Sequence, residues 1–353
     1  MRAVADRRRV ALAAGALVAA SVLGAGCDRS GAQPKDVVLV THDSFAVSKD
    51  VQRAFETDSG LQLRILQGGD ANETLNKALL TAGDPQGDVI FGIDDSILSR
   101  ALDGDLLDEY RSPELASLEP DFSNPDSHVT PIDHGEVCLN VDRGWFTSHD
   151  VPPPTSLSDL VLDRYRNLLV VENPATSSPG LAFLLATIAT FGDRWESYWR
   201  GLRANGVLAV DGWEEAYTQQ FSGAAGSPGK RPIVVSYASS PAAEVIFASK
   251  KPSTAPTAAV ENGCYRQVEY AGILRGAHNV DGARKLIDFM LSERFQADVP
   301  GSMFVYPVRS GVPLPAAFAT YAVVPKDPLQ IPSEQIDANR DRWVARWTDI
   351  VVR

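Results

Sequence analysis

The feature that most constrains the fold of this chain is an alternation of short apolar runs with segments whose apolar residues recur at helical spacing. The alternation extends over residues 37–102 and starts again at residue 168. Successive strands joined by helices form parallel sheets with helices on both faces, so the pattern predicts an α/β fold with a mostly parallel sheet. The expected strands are residues 37–40, 61–65, 88–93, 168–171, 207–210 and 233–236. The expected helices are residues 47–59, 70–81, 96–102, 180–191, 283–291, 294–298 and 333–353.

Proline-rich segments interrupt this alternation. Residues 112–131 are rich in Pro, Ser and Asp, and residues 152–154 are all proline. Because such segments favour turns and loops, we expect two α/β lobes rather than one continuous sheet. Residues 333–353 carry Trp343 and Trp347 four positions apart, which predicts a final helix that both rings anchor to the core.

The first residues have the composition of a secretory leader. A basic start with four arginines precedes an apolar stretch at residues 10–23, and small residues then lead to Cys27. This order predicts a signal peptide at residues 1–26. A cysteine directly after the leader resembles the lipobox of bacterial lipoproteins, so we expect an exported chain, lipid-anchored through Cys27, with residues 27–36 as a flexible tether. An ordinary leader followed by a chance cysteine is the alternative.

Charge excludes one class of partner and favours another. The chain has a formal net charge of −12 at pH 7, and removal of the basic leader makes the remainder more acidic. Proteins bind nucleic acid through basic surfaces that neutralise phosphates, so we expect no nucleic-acid partner. A cationic small molecule suits the acidic balance.

The cysteines fit an oxidising compartment. There are three, and lipidation of Cys27 would leave Cys138 and Cys264 as an even pair. Such a pair can form a disulfide outside the cytoplasm. Two possibilities stay open at this point, a Cys138–Cys264 disulfide and two buried free thiols.

Candidate binding residues follow the ends of the predicted strands. In open α/β sheets, ligands bind beyond the carboxyl ends of the strands, and a mixture of polar and aromatic side chains there suits a pocket for a small polar molecule. The residues that this rule selects are His42, Asp70, Asp94, Ser177, Ser178, Trp213, Tyr237, Ala238, Ser239 and Ser240.

Several of these candidates also have a purely structural interpretation. Asp70 and Glu73 have the spacing of a capping box, so Asp70 can serve as a helix cap alone. Ser177 and Ser178 can likewise be N-caps, and Trp213 can be a core residue.

Common enzyme signatures are absent from the sequence. It contains no G-x-S-x-G nucleophile elbow and no H-E-x-x-H zinc helix. The five histidines are scattered, at His42, His128, His134, His149 and His278. We therefore expect a binding protein without catalytic residues, metal or cofactor, with an exported enzyme such as a hydrolase as the alternative.

An ordered set of segments carries a family resemblance. The segments are VTHDSF at 40–45, DVIFGID at 88–94, NPATSSPG at 173–180, GWEEAY at 212–217 and VSYASSP at 235–241. The set resembles the periplasmic thiamine-binding proteins of ABC importers. The resemblance implies an α/β, two-lobed type II periplasmic-binding-protein fold with the ligand cleft between the lobes. It also implies thiamine or a thiamine phosphate as ligand, and an ABC permease with its ATPase subunits as partners of a monomeric receptor.

On that fold, we expect lobe 1 to hold residues 37–132 with about 268–310, and lobe 2 to hold residues 133–267 with about 311–353. The lobes would close on the ligand and bury it. Ferric iron, a polyamine or another small organic cation on the same fold is the alternative ligand.

The resemblance also implies roles for individual residues. The ring of Trp213 or Tyr237 would stack on the pyrimidine or lie against the thiazolium cation, and Asp70 would accept the exocyclic amine. Ser177 and Ser178 would hold the hydroxyethyl oxygen or a phosphate. The matched binding positions are Asp70, Ser177, Ser178, Trp213, Tyr237, Ala238, Ser239 and Ser240. His42 and Ala243 stand where the family has tyrosines, so the pocket is expected to have fewer aromatic walls.

Overall fold

The structure is a computed structural model that describes residues 35–122 and 126–353. The predicted leader, the predicted lipidation site Cys27 and most of the predicted tether lie outside these residues. The strands are β1 (Asp36–Thr41), β2 (Gln62–Gln67), β3 (Val89–Asp94), β4 (Leu107–Asp108), β5 (Thr130–Asp142), β6 (Leu169–Glu172), β7 (Leu208–Val210), β8 (Ile233–Tyr237), β9 (Thr257–Leu274) and β10 (Tyr306–Pro307). The α-helices are α1 (Lys49–Ser59), α2 (Ala71–Leu80), α3 (Leu98–Asp103), α4 (Arg143–His149), α5 (Ser178–Phe191), α6 (Trp195–Ala204), α7 (Trp213–Glu215), α8 (Ser240–Phe247), α9 (Val280–Met290), α10 (Glu293–Ser302), α11 (Ala316–Tyr321) and α12 (Ser333–Val351).

The strands belong to one sheet with parallel flanks and an antiparallel centre. The order along its main path is β2-β1-β3-β9-β5-β8-β6-β7, with β4 on β9 and β10 on β5. Strand β1 is parallel to β2 and β3, and β6 is parallel to β7 and β8. Every pairing of β5 and β9 is antiparallel. The predicted α/β, two-lobed fold is confirmed. The expectations of a mostly parallel sheet and of a discontinuous sheet are wrong, because one continuous sheet contains two parallel groups on either side of an antiparallel centre.

Strands β5 and β9 join the two lobes, and the sequence did not reveal them. Twelve successive residues of β5 are buried, yet the strand includes Asp133, His134, Glu136 and Asn140. A strand that is buried on both faces and also carries polar residues shows neither an apolar run nor clear alternation. Periodicity in the sequence therefore did not predict the antiparallel centre of the sheet.

Local signals define the ends of the predicted helices. Ser48 caps α1, because its side chain accepts a hydrogen bond from the Val51 amide at 3.3 Å. Gly60 ends the same helix in the left-handed conformation, with φ of 72°. Ser177 caps α5 by accepting from the Gly180 amide at 3.3 Å. Ser48 and Ser177 thus fix the amino ends of α1 and α5, and Gly60 fixes the carboxyl end of α1.

The last helix packs on α6, as its tryptophan spacing predicted. Trp347 is fully buried, and its ring centroid lies 5.5 Å from that of Trp199 in an edge-to-face arrangement. Trp343 is also buried in the same apolar cluster. The prediction that both rings anchor the helix is confirmed.

A disulfide crosslinks the two central strands. Cys138 of β5 and Cys264 of β9 are joined, with an S–S distance of 2.02 Å, and they lie 126 positions apart in the sequence. Both residues are buried. Of the two possibilities left open by the sequence, the structure contains the bridge.

Within residues 35–122 and 126–353, no helix combines the length and the apolar character needed to cross a membrane.

Candidate functional site

A cavity of about 410 Å³ lies where residues from the strand ends of both lobes meet. Its walls combine aromatic rings with carboxyl groups. The aromatic residues are Trp213, Tyr217, Tyr237, Phe247 and Phe304, and the acidic residues are Asp70, Glu214, Glu244 and Glu269. Neither lysine nor arginine is among the described residues that line it. The cavity is therefore suited to a flat molecule with positive charge.

Asp70 is buried at the start of α2 and binds three backbone amides from different segments. Its carboxylate accepts from Ala71 at 2.6 Å, from Ser178 at 3.1 Å and from Trp213 at 3.0 Å. Burial raises the pKa of Asp70, while these three amides act in the opposite direction. Asp70 is a helix cap, in agreement with the purely structural interpretation. It also lines the cavity and connects α2 to the starts of α5 and α7.

Trp213 lies on one side of the cavity, and its indole N–H forms a hydrogen bond. The indole Nε1 donates to the Ser236 hydroxyl at 2.9 Å. One face stacks on Tyr217, with centroids 5.0 Å apart and an interplanar angle of 18°. Tyr237 lies across from it at a centroid distance of 6.5 Å, tilted by 59°. The two rings form an open aromatic corner.

The ring of Tyr237 rests against backbone that only glycine allows. A Cβ placed on Gly135 of β5 would lie 2.8 Å from Tyr237 Cδ1. Real Cβ atoms essentially never approach so closely, so a larger residue at this position would displace the ring. Tyr237 is thus positioned by a strand that the sequence did not predict.

Ser178, at the start of α5, is held by the residues behind the cavity wall. Its amide donates to Asp70, and its hydroxyl donates to Asp94 and accepts from Gln267 Nε2 at 2.9 Å. Asp94 also accepts from the Ser96 amide at 2.7 Å. The amino end of α5, which we expected to hold a ligand oxygen or phosphate, is therefore occupied by the protein's own carboxylates.

Six of the ten predicted site residues line the cavity, and four lie behind it. The lining residues are His42, Asp70, Ser178, Trp213, Tyr237 and Ser240. The residues behind the wall are Asp94, Ser177, Ala238 and Ser239, all buried. Asp94 and Ser177 support Ser178 and the start of α5, while Ser239 donates to the Phe304 carbonyl oxygen and Ala238 to that of Glu136.

Several lining residues were missed by the sequence argument. Tyr217 belongs to the segment GWEEAY at 212–217. It lies four positions after Trp213, a spacing that brings two side chains together on a helix. Phe247 lies one turn beyond Ala243 on α8 and contacts Phe304 edge-to-face at 4.9 Å. The positions of His42 and Ala243 thus lack the aromatic rings expected from the family, but other residues supply aromatic walls to the cavity. Glu269 lies on β9, and no local signal indicated it.

Burial shifts the charge state of several groups near the cavity. It raises the pKa of Asp94 to about 6 and lowers that of His42 to about 4. It also raises the pKa of Glu214, Glu244 and Glu269. His42 is thus neutral near pH 7, so it does not balance the carboxylates. Among the described residues, no group of three or more His, Cys, Asp or Glu side chains is arranged to hold a metal ion.

Comparison with known sequences identifies the family. The sequence profile described as "Bacterial extracellular solute-binding protein" matches residues 84–337, which is well over half of the chain. This chain belongs to the bacterial extracellular solute-binding proteins. That family is a class of binding proteins and not of enzymes.

Curated relatives of this solute-binding protein include thiamine-binding periplasmic proteins. The one from Salmonella typhimurium strain LT2 is 30% identical over 321 residues, which is 90% of this chain and 94% of the relative. The one from Escherichia coli strain K12 is 29% identical with the same coverage. Iron uptake protein A2 of Synechocystis sp. strain PCC 6803 is 23% identical, with 92% of both chains covered. The resemblance inferred from the ordered segments is confirmed.

Solved structures agree on the fold. A periplasmic thiamin binding protein superposes with a TM-score of 0.80 at 28% identity, covering 92% of this chain and 98% of that chain. Iron-bound HitA from Pseudomonas aeruginosa superposes with a TM-score of 0.70 at 18% identity and 90% coverage of this chain, a similarity that concerns the fold alone.

Proposed function

We propose that this solute-binding protein is an extracytoplasmic receptor for thiamine. The observation that carries the proposal is the cavity itself, which offers the Trp213–Tyr237 corner and four acidic side chains, with no lysine or arginine among the described residues that line it. Thiamine joins a flat aminopyrimidine to a permanently cationic thiazolium. An aromatic face attracts such a cation by about 0.5–2 kcal/mol, depending on desolvation. The thiamine-binding relatives support the same ligand.

The proposal favours unphosphorylated thiamine over its phosphates. A phosphate would enter a cavity lined by Asp70, Glu214, Glu244 and Glu269, where no described residue is a lysine or arginine that could pair with it. The Ser178 amide at the start of α5, which could have served an anion, already donates to Asp70 and stabilises its carboxylate. Like charges brought together in a partly buried site oppose binding.

The proposed setting is that of an ABC importer receptor. Cys27 would carry the lipid anchor, residues 27–36 would be the tether, and the monomer would deliver its ligand to a permease with its ATPase subunits. The lobes would comprise residues 37–132 with about 268–310, and 133–267 with about 311–353. Closure of these lobes around the ligand is the proposed binding step.

Isothermal titration calorimetry with thiamine tests the proposal. Trp213→Ala should weaken binding by roughly 1–3 kcal/mol, because it removes the stacking face from the cavity. Trp145→Ala is the matched control, since Trp145 stacks on His149 in α4 and does not line the cavity. Its affinity should equal that of the unaltered protein.

The same titrations separate the competing ligands. Thiamine monophosphate should bind at least about tenfold more weakly than thiamine, because its charge is repelled by the acidic walls. The absence of thiamine binding tighter than about millimolar would refute the proposal. Tighter binding of spermidine or ferric citrate than of thiamine would replace it with a polyamine or iron receptor.

A further inference from the structure

Three carboxyl groups lie side by side across the centre of the sheet. In the antiparallel registers, Glu269 of β9 is opposite Asp94 of β3 on one side and Asp133 of β5 on the other. Directly opposite residues of neighbouring strands project from the same face of a sheet. We call Asp94, Glu269 and Asp133 the carboxyl row; its middle member, Glu269, lines the cavity.

The carboxyl row is buried and accepts few hydrogen bonds. Asp94, Glu269 and Asp133 are 1%, 7% and 0% exposed. Asp94 accepts from Ser178 and Ser96, but neither oxygen of Asp133 receives a hydrogen bond from any described residue. Glu269 Oε1 has a long contact of 3.5 Å with Gln267 Nε2. The Asp133 carboxyl and the facing Glu269 carboxyl can hydrogen-bond to each other only if one of them is protonated.

The charged groups around the row do not neutralise it. His42, after β1, places Nε2 3.9 Å from Glu269 Oε1, but burial keeps its pKa at about 4 and the ring uncharged near pH 7. Arg340 of α12 acts on Asp94 from a distance and is itself paired with Asp341 at 2.8 Å.

The remaining neighbours are acids, or are cations already engaged. Asp70 of α2 adds negative charge on the cavity side, and the buried phenol of Tyr237 on β8 is neutral because its pKa is well above the usual value. Arg266 of β9 lies further along the strand and pairs with Glu136 of β5 at 3.1 Å. Glu269 and Asp133 thus face each other, and no charged lysine, arginine or histidine of the described part of the chain pairs with either.

Protons therefore take the place of a counter-ion in the empty cavity. Burial raises the pKa of Asp133 to about 7 and that of Glu269 well above its usual range, and Asp133 raises the pKa of Glu269 further as a like charge. Two interacting carboxyls of this kind titrate as a pair and share a proton near neutrality.

We propose that a cation bound in the cavity replaces a proton on the carboxyl row, with Glu269 as its counter-ion. The Glu269 O–H bond breaks, the electron pair stays on the carboxylate, and the proton passes to water and buffer. The inference rests on the proposed function only in requiring that the ligand is a cation. Affinity then increases with pH, because the protonated row competes with the ligand.

Calorimetry in buffers of different ionisation enthalpy counts the protons released when thiamine binds. The unaltered protein should release a measurable fraction of a proton, up to about one, between about pH 6 and pH 8. The dissociation constant should fall with pH by up to about tenfold per unit. Binding with no proton release and no pH dependence would overturn the inference while leaving the thiamine proposal intact. Failure of any cation to bind would instead refute the proposed function.

Two variants test whether the released proton comes from the carboxyl row. Glu269→Gln should bind thiamine more weakly, release almost no proton and lose the pH dependence. Asp133→Asn should reduce proton release while retaining a Glu269 carboxylate, because it removes the like charge that holds the proton. Full proton release by both variants would overturn the assignment.

A matched control and a measurement without ligand complete the test. Glu172 is also buried, with a raised pKa and unpartnered oxygens, but it does not line the cavity. Glu172→Gln should release as many protons as the unaltered protein. Infrared difference spectra between the ligand-free unaltered protein and Glu269→Gln should show a protonated carboxyl band near pH 7. Its absence would overturn the inference without reference to any ligand.

Discussion

At the scale of single residues, Asp70 connects three segments of the chain beside the cavity. Its carboxylate caps the start of α2 and accepts amides from the starts of α5 and α7. Asn72 strengthens the same junction, since its Nδ2 donates to the carbonyl oxygens of Pro174 and Ser177 at 3.0 and 3.2 Å. The cap of α2 is therefore also a contact with the starts of α5 and α7, and a change there affects this junction as well as the local helix.

We predict that Asp70→Asn weakens thiamine binding by about 1–3 kcal/mol. The amide group cannot accept from three backbone N–H groups, and its NH₂ would face donors. Asp88→Asn is the control: Asp88 is a buried carboxylate that accepts the Val38 and Asn279 amides at 2.8 Å, away from the cavity. Calorimetry and thermal melting should show lower stability for both variants but lower affinity for Asp70→Asn alone. Equal affinities would contradict the role given to Asp70.

At the scale of elements, β5 and β9 determine how the lobes are connected. They carry the disulfide and two members of the carboxyl row, and Gly135 of β5 positions Tyr237. Their pairing shifts register between Pro131 and Asp133 and again between Val137 and Leu139. Irregularities of this kind bend strands and re-aim side chains beside functional sites. The central pair thus connects the lobes and contributes Glu269 to the wall of the cavity.

Removal of the crosslink should destabilise this connection. Replacing Cys138 and Cys264 by alanine together should lower the free energy of unfolding by about 2–5 kcal/mol, because the bridge closes a long loop in the unfolded chain. Guanidinium titration with and without a reducing agent measures the effect. The reducing agent should weaken the unaltered protein and leave the double variant unchanged. An unfolding midpoint insensitive to both changes would show that the bridge contributes nothing to stability.

At the scale of the whole molecule, the acidic cavity opposes folding while no cation is bound. The carboxyl row is protonated more readily in the folded chain than in the unfolded one, since burial raises the pKa of Asp94 to about 6 and of Asp133 to about 7. The folded state then binds more protons, so stability declines as pH increases through these values. His42 acts in the opposite sense, because its lowered pKa costs stability only below about pH 6.5.

We predict that the ligand-free protein loses stability as the pH rises from about 4 to about 7, the interval between the unfolded and folded pKa values of Asp94 and Asp133. The slope should reach about 1.4 kcal/mol per pH unit for each proton lost from the row. Saturating thiamine should reduce this loss, since its charge stabilises the carboxylates. Thermal melts across the range, compared with those of a Glu269→Gln, Asp133→Asn double variant, provide the measurement. A slope that is the same in the double variant would show that other groups control the pH dependence.

The sequence alone determined the parts of this protein that depend on local order. Apolar runs and helical spacing predicted the parallel strands of both lobes, and capping residues such as Gly60 and Ser177 located helix ends. Because parallel strands present their carboxyl ends at one edge of the sheet, the rule also located Asp70, Trp213 and Tyr237 at the cavity. These inferences hold because each depends on neighbours within one or two turns of chain.

Only the tertiary structure decided the antiparallel centre and the carboxyl row. Asp94, Asp133 and Glu269 lie far apart in the chain and become neighbours through the register of β3, β5 and β9. Register between distant strands is a property of the pairing and leaves no periodic signal in any one of them. Burial, which raises the pKa values of the row, also arises only when both lobes enclose it. For this reason the chain order could indicate where a ligand binds, whereas the charge state of the site depends on the assembled fold.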